Sequence, residues 1–159
     1  MRKIFIILTL ALTLAFAQPG EAQVMRKGAT VLDIGLGLNY AISPFLRIEH
    51  GITDKIGPGY LGLAGAVSLS FWRGFTAVSI GPELNYHFDF GTFPPRNLDL
   101  YLGVGLYYYN WFGNDVPYSP FYPGFHIGAR YFFENNLGVT LILGGGLSAG
   151  VQLGLCFRL

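Results

Sequence analysis

From 151 to 159 the chain alternates without a break. Val151, Leu153, Leu155, Phe157 and Leu159 are large and apolar, and Gln152, Gly154, Cys156 and Arg158 between them are polar or small. A β-strand turns successive side chains to opposite faces, so this segment has one oily face and one that is not. The same alternation recurs upstream. Over 30–40, Leu32, Ile34, Leu36, Leu38 and Tyr40 oppose Val31, Asp33, Gly35, Gly37 and Asn39. Over 45–52, Leu46, Ile48 and Ile52 oppose Arg47, Glu49 and Gly51. The segment 56–70 is the least regular, with Leu61, Leu63, Val67 and Leu69 on one side. Over 76–88, Val78, Ile80, Leu84, Tyr86 and Phe88 oppose Ala77, Ser79, Gly81, Glu83, Asn85 and His87. Over 98–109, Leu98, Leu100, Leu102, Val104 and Leu106 oppose Asp99, Tyr101, Gly103 and Gly105. Over 124–133, Phe125, Ile127, Tyr131 and Phe133 oppose His126, Gly128 and Arg130; over 137–144, Leu137, Val139, Leu141 and Leu143 oppose Gly138, Thr140 and Gly144.

These segments make eight strands. A membrane strand takes about 9–11 residues, so eight of them leave this chain room for seven connections and a short lead. The pattern predicts an all-β, eight-stranded antiparallel transmembrane barrel, an up-and-down meander closed by its first and last strands.

The face that carries no leucine decides which side is out. In a soluble barrel the apolar face is the core and the other face meets water, so the second face is rich in Lys, Glu, Ser and Thr. Here it holds mostly glycine and small residues with a few charges. Such a face fits a narrow closed lumen, where eight strands leave space only for side chains. Composition agrees: 52% of residues are apolar, 16% aromatic and only 12% charged. That is about half the charge of an average soluble domain. Aromatic residues gather near strand ends (Tyr40, Phe71, Trp72, Tyr86, Phe88, Tyr108, Trp111, Phe112, Tyr131 and Phe133), as the girdles of a membrane barrel require.

The N-terminus supplies a route. Arg2 and Lys3 precede an apolar run over 4–17, too short to span a bilayer as a helix, followed by Pro19, Gly20 and Ala22. This predicts a signal peptide over 1–22, with cleavage after Ala17 as the alternative, and a barrel domain over 23–159. A net charge of +1 argues against a nucleic-acid footprint, and the single Cys156 excludes an internal disulfide.

Polar turns at 53–56, 96–98 and 134–137 close alternate hairpins on the side of the termini. The opposite connections are expected near 41–44, 71–75, 110–123 and 145–149. The 110–123 segment, with three prolines and five aromatics, is the place for specific contacts. Pro82 cannot donate to a ladder, which predicts a bulge or an early strand end there.

Three segments carry a likeness: Gly-Ile-Thr-Asp-Lys-Ile at 51–56, Gly-Ala-Arg-Tyr-Phe-Phe-Glu-Asn-Asn-Leu-Gly at 128–138, and the ending Gly154-x-x-Phe157-x-Leu159. Through them the chain resembles the small outer-membrane protein β-barrel family, the OmpA/OmpX-like eight-stranded barrels without an added periplasmic domain. The resemblance implies the bacterial outer membrane as location, with lipid and lipopolysaccharide as surroundings. It further implies a last strand read by the barrel-assembly machinery, and a monomer.

Candidate chemistry concentrates in the lumen. Asp33, Glu49, Glu83 and Asp99 are expected to face Arg47, Arg130 and Arg158 there, and an unpaired buried charge is costly enough that these must pair. A salt-bridged plug and an ion-selective gate are the two readings, with the plug favoured because eight-stranded lumens are filled. His87 and His126 also point inward. Outer-membrane lipid A deacylases pair a lipid-facing His with a Ser two residues on, whereas Gly128 stands at that spacing from His126. His50 faces outward without such a serine, and no nucleophile-elbow motif is present. Gly35-x-Gly37 and Gly103-x-Gly105 lead into no helix, so they do not form a nucleotide site. Neither a catalytic residue, a metal ligand nor a cofactor is therefore assigned. The expectation is a non-enzymatic envelope or surface-interaction protein with an ion-paired, plugged lumen. A narrow transporter releasing small hydrophobic molecules sideways near Pro82 is the alternative, and a lipid-modifying enzyme the third.

Overall fold

The structure, a computed structural model, describes residues 25–38, 42–72, 75–90, 93–112, 121–147 and 150–159. The segment 1–22 expected to be a signal peptide, Asn39, Tyr40 and residues 113–120 of the long connection lie outside these. Eight strands form one closed antiparallel barrel in sequence order: β1 Thr30–Leu38, β2 Ile42–Gly51, β3 Gly59–Trp72, β4 Phe75–Phe88, β5 Leu98–Phe112, β6 Phe121–Phe132, β7 Leu137–Gly144 and β8 Gly150–Arg158. The last strand pairs with the first from Val31↔Arg158 to Leu38↔Val151. Closure removes every sheet edge, which is how a barrel satisfies its backbone in an apolar medium.

The alternation places the faces as the sequence pattern predicts. Ile34, Leu36, Leu46, Ile48, Leu63, Ile80, Val104, Ile127, Leu141 and Leu153 stand exposed on the outside. Asp33, Arg47, Glu49, Glu83, Asn85, His87, Asp99 and Arg130 are buried inside. Every Asp, Glu, Lys or Arg within the eight strands occupies an inward position, and the outward positions hold none.

Several boundaries differ from the sequence reading. Strands β5 and β6 run on to Phe112 and back from Phe121, so Trp111, Phe112, Phe121, Tyr122 and Pro123 belong to the wall rather than to a loop over 110–123. Runs of aromatics pair readily across strands, and Tyr108↔Phe121 and Tyr107↔Tyr122 extend the ladder upward. Strand β2 likewise begins at Ile42, inside the connection expected over 41–44. Strand β3 begins only at Gly59, because Ile56–Gly59 folds into a tight turn with Ile56 N–H donating to the Gly59 carbonyl at 2.7 Å.

Pro82 produces neither a bulge nor a strand end. The β4–β5 register is the same on both sides of it, from Thr76↔Phe112 through Ile80↔Tyr108 and from Glu83↔Gly105 to His87↔Tyr101. Only the pairings at 81 and 82 are missing, which is the local cost of the absent N–H.

Trp111 is a second correction. It lies on the inward phase of β5 with Tyr107 and Tyr109, stacked on Tyr109 at 6.5 Å between ring centroids, and not in the outer girdle. The girdles that form outside are Phe71, Tyr108, Phe112 and Phe121 at one end and Tyr86, Phe88, Tyr131 and Phe133 at the other.

Candidate functional site

The lumen is built in three layers. Its lower mouth, on the side of the termini, is closed by Met25, Val31, Phe132 and Cys156, all buried, with Ala29 against them. Residues before β1 make this closure possible. Ala29 N–H donates to the Arg26 carbonyl, Gly28 N–H to the Gly51 carbonyl, and Lys27 Nζ reaches Asp54 at 2.8 Å, so the segment turns under the barrel and inserts Met25. Arg158 is half-buried at this mouth, with its guanidinium 4.6 Å above the Phe132 ring.

The middle layer is ionic. Arg130 on β6 donates from Nη2 to Asp33 Oδ2 at 2.7 Å and Glu49 Oε2 at 2.6 Å, and from Nη1 to Asp99 Oδ2 at 3.4 Å. Its guanidinium lies 4.7 Å from the Tyr101 ring centroid. Five donors in a planar fork suit an arginine to several carboxylates at once. His87 bridges two of the same acids, with Nε2 2.7 Å from Glu49 Oε1 and Nδ1 2.8 Å from Asp99 Oδ1. A neutral imidazole has one donor, so which of the two carboxylates it donates to depends on the ring tautomer. Asn85 Nδ2 donates to Glu49 at 2.8 Å, and its Oδ1 meets His126 Nε2 at 3.0 Å. Higher up, Arg47 Nη2 donates to Glu83 Oε1 at 2.9 Å, and Tyr107 OH donates to the same oxygen at 2.7 Å. Arg47 Nε stands 2.7 Å from Glu83 Oε2, close in charge but outside hydrogen-bond alignment.

Small residues make room for these groups. A methyl on Gly128 would overlap the Tyr101 ring, and one on Gly103 would overlap Asn85 and His126. The inward face is therefore glycine-rich where it faces the largest polar side chains.

The upper layer is apolar again. Phe45, Ala66, Tyr101, Tyr107, Ile142 and Leu147 form one buried cluster. Leu147 comes from the β7–β8 connection, which folds inward and is held by Ser68 Oγ donating to the Leu147 carbonyl at 2.9 Å. The alternation alone does not single out Phe45, Tyr107, Phe132, Ile142 or Leu147 as lumen residues. Each is a large apolar side chain on the face read as small and polar, or lies in a loop. Their inward phase was present in the register, since each strand residue among them sits an even number of positions from a buried charged or polar one.

Of the charged residues expected in the lumen, Asp33, Glu49, Asp99 and Arg130 are thus brought together, as are Arg47 and Glu83. His87 is fully enclosed between two carboxylates, and His126 contacts an amide. His50 lies outside, its Nδ1 2.8 Å from Thr30 Oγ1. Among the described residues no group of three or more His, Cys, Asp or Glu is placed to hold a metal ion. Arg130 itself occupies the centre of the carboxylates, where a cation would otherwise sit.

No protein-family model matches the chain, and no curated protein matches it either. Solved structures do. The N-terminal β-barrel domain of Pseudomonas aeruginosa OprF matches with a TM-score of 0.63 at 18% identity, covering 84% of this chain and 98% of that one. A de novo designed transmembrane β-barrel matches with a TM-score of 0.52 at 17% identity, covering 86% and 100%. The outer-membrane enzyme PagL aligns more loosely, with a TM-score of 0.48 at 16% identity over 83% and 99%. The closed eight-strand meander is an architecture the chain shares with these barrels, and in fold it is similar to the OprF N-terminal β-barrel domain and to a designed transmembrane β-barrel.

Proposed function

We propose that the protein is an integral outer-membrane barrel, exported by a leader over 1–22, that works as a non-enzymatic envelope or surface-interaction element with a closed lumen. The observation that carries this reading is the distribution of charge. No Asp, Glu, Lys or Arg stands at an outward strand position, while Arg47, Arg130, Glu49, Glu83, Asp33 and Asp99 are all at most 2% exposed inside. Lysine or arginine at the lipid-facing midplane costs about 2–4 kcal/mol, and this wall avoids that cost throughout. A continuous belt of half-exposed Leu, Ile, Val and Phe also far exceeds the apolar patch a water-soluble monomer tolerates.

Dimensions support the same reading. Phe121 and Tyr131 face outward ten residues apart on β6, one in each girdle. At about 3.4 Å per residue and a tilt of about 40°, they are about 26 Å apart in height, against about 25 Å for the apolar band of such barrels. Phe157 and Leu159 on the outer phase of β8 suit a last strand read by the barrel-assembly machinery, and the fully paired wall suits a monomer surrounded by lipid and lipopolysaccharide.

Two apolar layers with a salt-bridged layer between them support a closed lumen. The rival, sideways release near Pro82, needs an opening in the wall. Strands β3 and β4 pair without interruption from Gly59↔Phe88 to Trp72↔Phe75, and β4–β5 keeps its register, which supports a closed wall. A lipid-modifying activity needs an activated nucleophile, and the lumen histidines bond to carboxylates and an amide instead.

The test is gel mobility of the outer-membrane fraction, unboiled against boiled. A heat-dependent shift is the expected result. A protein that is soluble in the periplasm and shows no shift would overturn the reading.

A further inference from the structure

The connection from β7 to β8 enters the lumen rather than passing over it. Gly144 and Gly145 are exposed at the rim, Gly146 is half-buried and Leu147 is buried, so the chain dives over a few residues. Gly144, Gly146 and Gly150 have φ of 150°, 128° and 107°. Residues with side chains rarely adopt such angles, so these glycines make the bend and leave it free to turn. Two fastenings hold the inserted form. Leu147 joins the buried cluster of Phe45, Ala66, Tyr107 and Ile142, and its carbonyl accepts from Ser68 Oγ at 2.9 Å. Where the dive begins, Gly145 N–H donates to the Phe125 carbonyl at 3.0 Å.

The floor under the connection is one ring. Tyr107 on β5 is 1% exposed. A methyl on Gly146 would overlap that ring, as would one on Gly124 of β6, and a methyl on Gly105 would overlap its hydroxyl end. Glycines from β5, β6 and the connection thus form a close slot for a single tyrosine. The slot aims the hydroxyl: Tyr107 OH donates to Glu83 Oε1 at 2.7 Å, and Arg47 Nη2 donates to the same oxygen at 2.9 Å. Tyr107 is therefore shared between two layers. Its ring carries the connection, and its hydroxyl belongs to the ion-paired layer.

Each end of this arrangement holds the other. If the connection lifts, Gly146 leaves the ring face and Tyr107 loses its cover. If the Tyr107–Glu83 bond is lost, nothing fixes the ring at the angle that clears Gly146 and Gly124. A short connection held by one leucine and one hydroxyl lies at the low-stability end of a fold, where opening occurs without unfolding the rest. Packed elements of this kind switch between discrete arrangements rather than deform continuously.

We propose that the β7–β8 connection is a hinged plug of the upper mouth, seated on Tyr107 and held inserted by the Arg47–Glu83 pair beneath it. The plug alternates between the inserted form and a lifted one, in which the pocket of Phe45, Ala66 and Ile142 opens on the side opposite the termini. The ion-paired layer sets the balance between the two forms. This inference rests on the closed-lumen reading above, and the test separates the two.

The refolded barrel carrying Leu147→Cys is treated with a membrane-impermeant maleimide, and modification at position 147 and at the native Cys156 is followed by peptide mass. Gly145→Cys, at an exposed residue whose added side chain meets nothing, gives the unprotected rate. Position 147 is expected to react much more slowly than position 145. Tyr107→Phe, which keeps the ring and removes the hydroxyl, should raise the rate at 147 about tenfold, within the range of coupled sites. Glu83→Gln should do the same, and the two together should do no more than either alone. Cys156 should stay inert throughout. Equal rates at 147 and 145 overturn the plug. A rate at 147 that neither Tyr107→Phe nor Glu83→Gln changes overturns its link to the ion-paired layer. So does a Cys156 that becomes reactive along with 147, because the barrel has then loosened as a whole. If Leu147→Cys does not fold, hydrogen exchange of the Gly145 amide in the native chain against Tyr107→Phe reads the same opening, with the same rise expected and an unchanged rate overturning the link. The heat-dependent mobility shift reports folding independently. A native chain without it fails the membrane reading, whereas a chain that shifts and reacts equally at 147 and 145 loses only the plug.

Discussion

At the scale of single residues, Arg130 holds more of the interior together than any other described side chain. It reaches Asp33, Glu49 and Asp99 and covers the Tyr101 ring. Arg130→Ala leaves three carboxylates around an empty centre, and breaking a buried pair by removing one partner costs about 3–5 kcal/mol. Chemical unfolding of the refolded barrel should show a loss of that size; an unchanged midpoint would mean the network does not hold the fold. Glycines give a contrasting pair. Gly128→Ala drives a methyl into a Tyr101 ring that is locked by Arg47 and Arg130, and it should destabilise the barrel markedly. Gly65→Ala meets empty space and should be neutral or stabilising by the same measurement. The alternation made the charged residues legible as lumen residues, because a charge on the oily face has no solvation. Their partners were not legible. Nothing in the order of residues says that Arg130 meets Asp33, 97 positions away, rather than Glu83.

At the scale of elements, periodicity located all eight strands, and β7 at its observed ends of Leu137 and Gly144. It failed at the tops of β5 and β6. There Trp111, Phe112, Phe121 and Tyr122 lie among prolines and polar residues, and only the cross-strand pairing they find, Trp111 and Phe112 with β4 and Phe121 and Tyr122 with β5, reveals them as strand. The pattern predicts no more than a short lead before β1, but the segment is a stopper that inserts Met25 into the lower mouth. Met25→Ala should open the lower mouth and cost about 2–5 kcal/mol for the lost buried side chain. Cys156, 0% exposed behind it, should then react with a maleimide in the folded barrel, whereas the native thiol should not. An equally inert thiol in Met25→Ala would show that the segment does not seal the barrel.

At the scale of the whole molecule, the proposed closed lumen has a direct consequence. Planar-bilayer recording should find background conductance for the native protein. It should stay at background in Met25→Ala or Leu147→Ala, because either change opens one apolar layer and leaves the ion-paired layer shut. A steady open channel in the native protein would contradict the sealed reading. The inversion of oily and charged faces, the number of strands and their meander order were all determined by the sequence itself. Each rests on a local rule: successive side chains alternate, and a glycine-rich face with few charges cannot coat a surface in water. Only the tertiary structure decided which charges pair, which loop residue plugs the top, and that Pro82 faces Gly65 across one ladder step. Those facts depend on strand register around a closed ring, which brings residues far apart in sequence to the same height inside it. No local pattern encodes that height until the last strand has closed on the first.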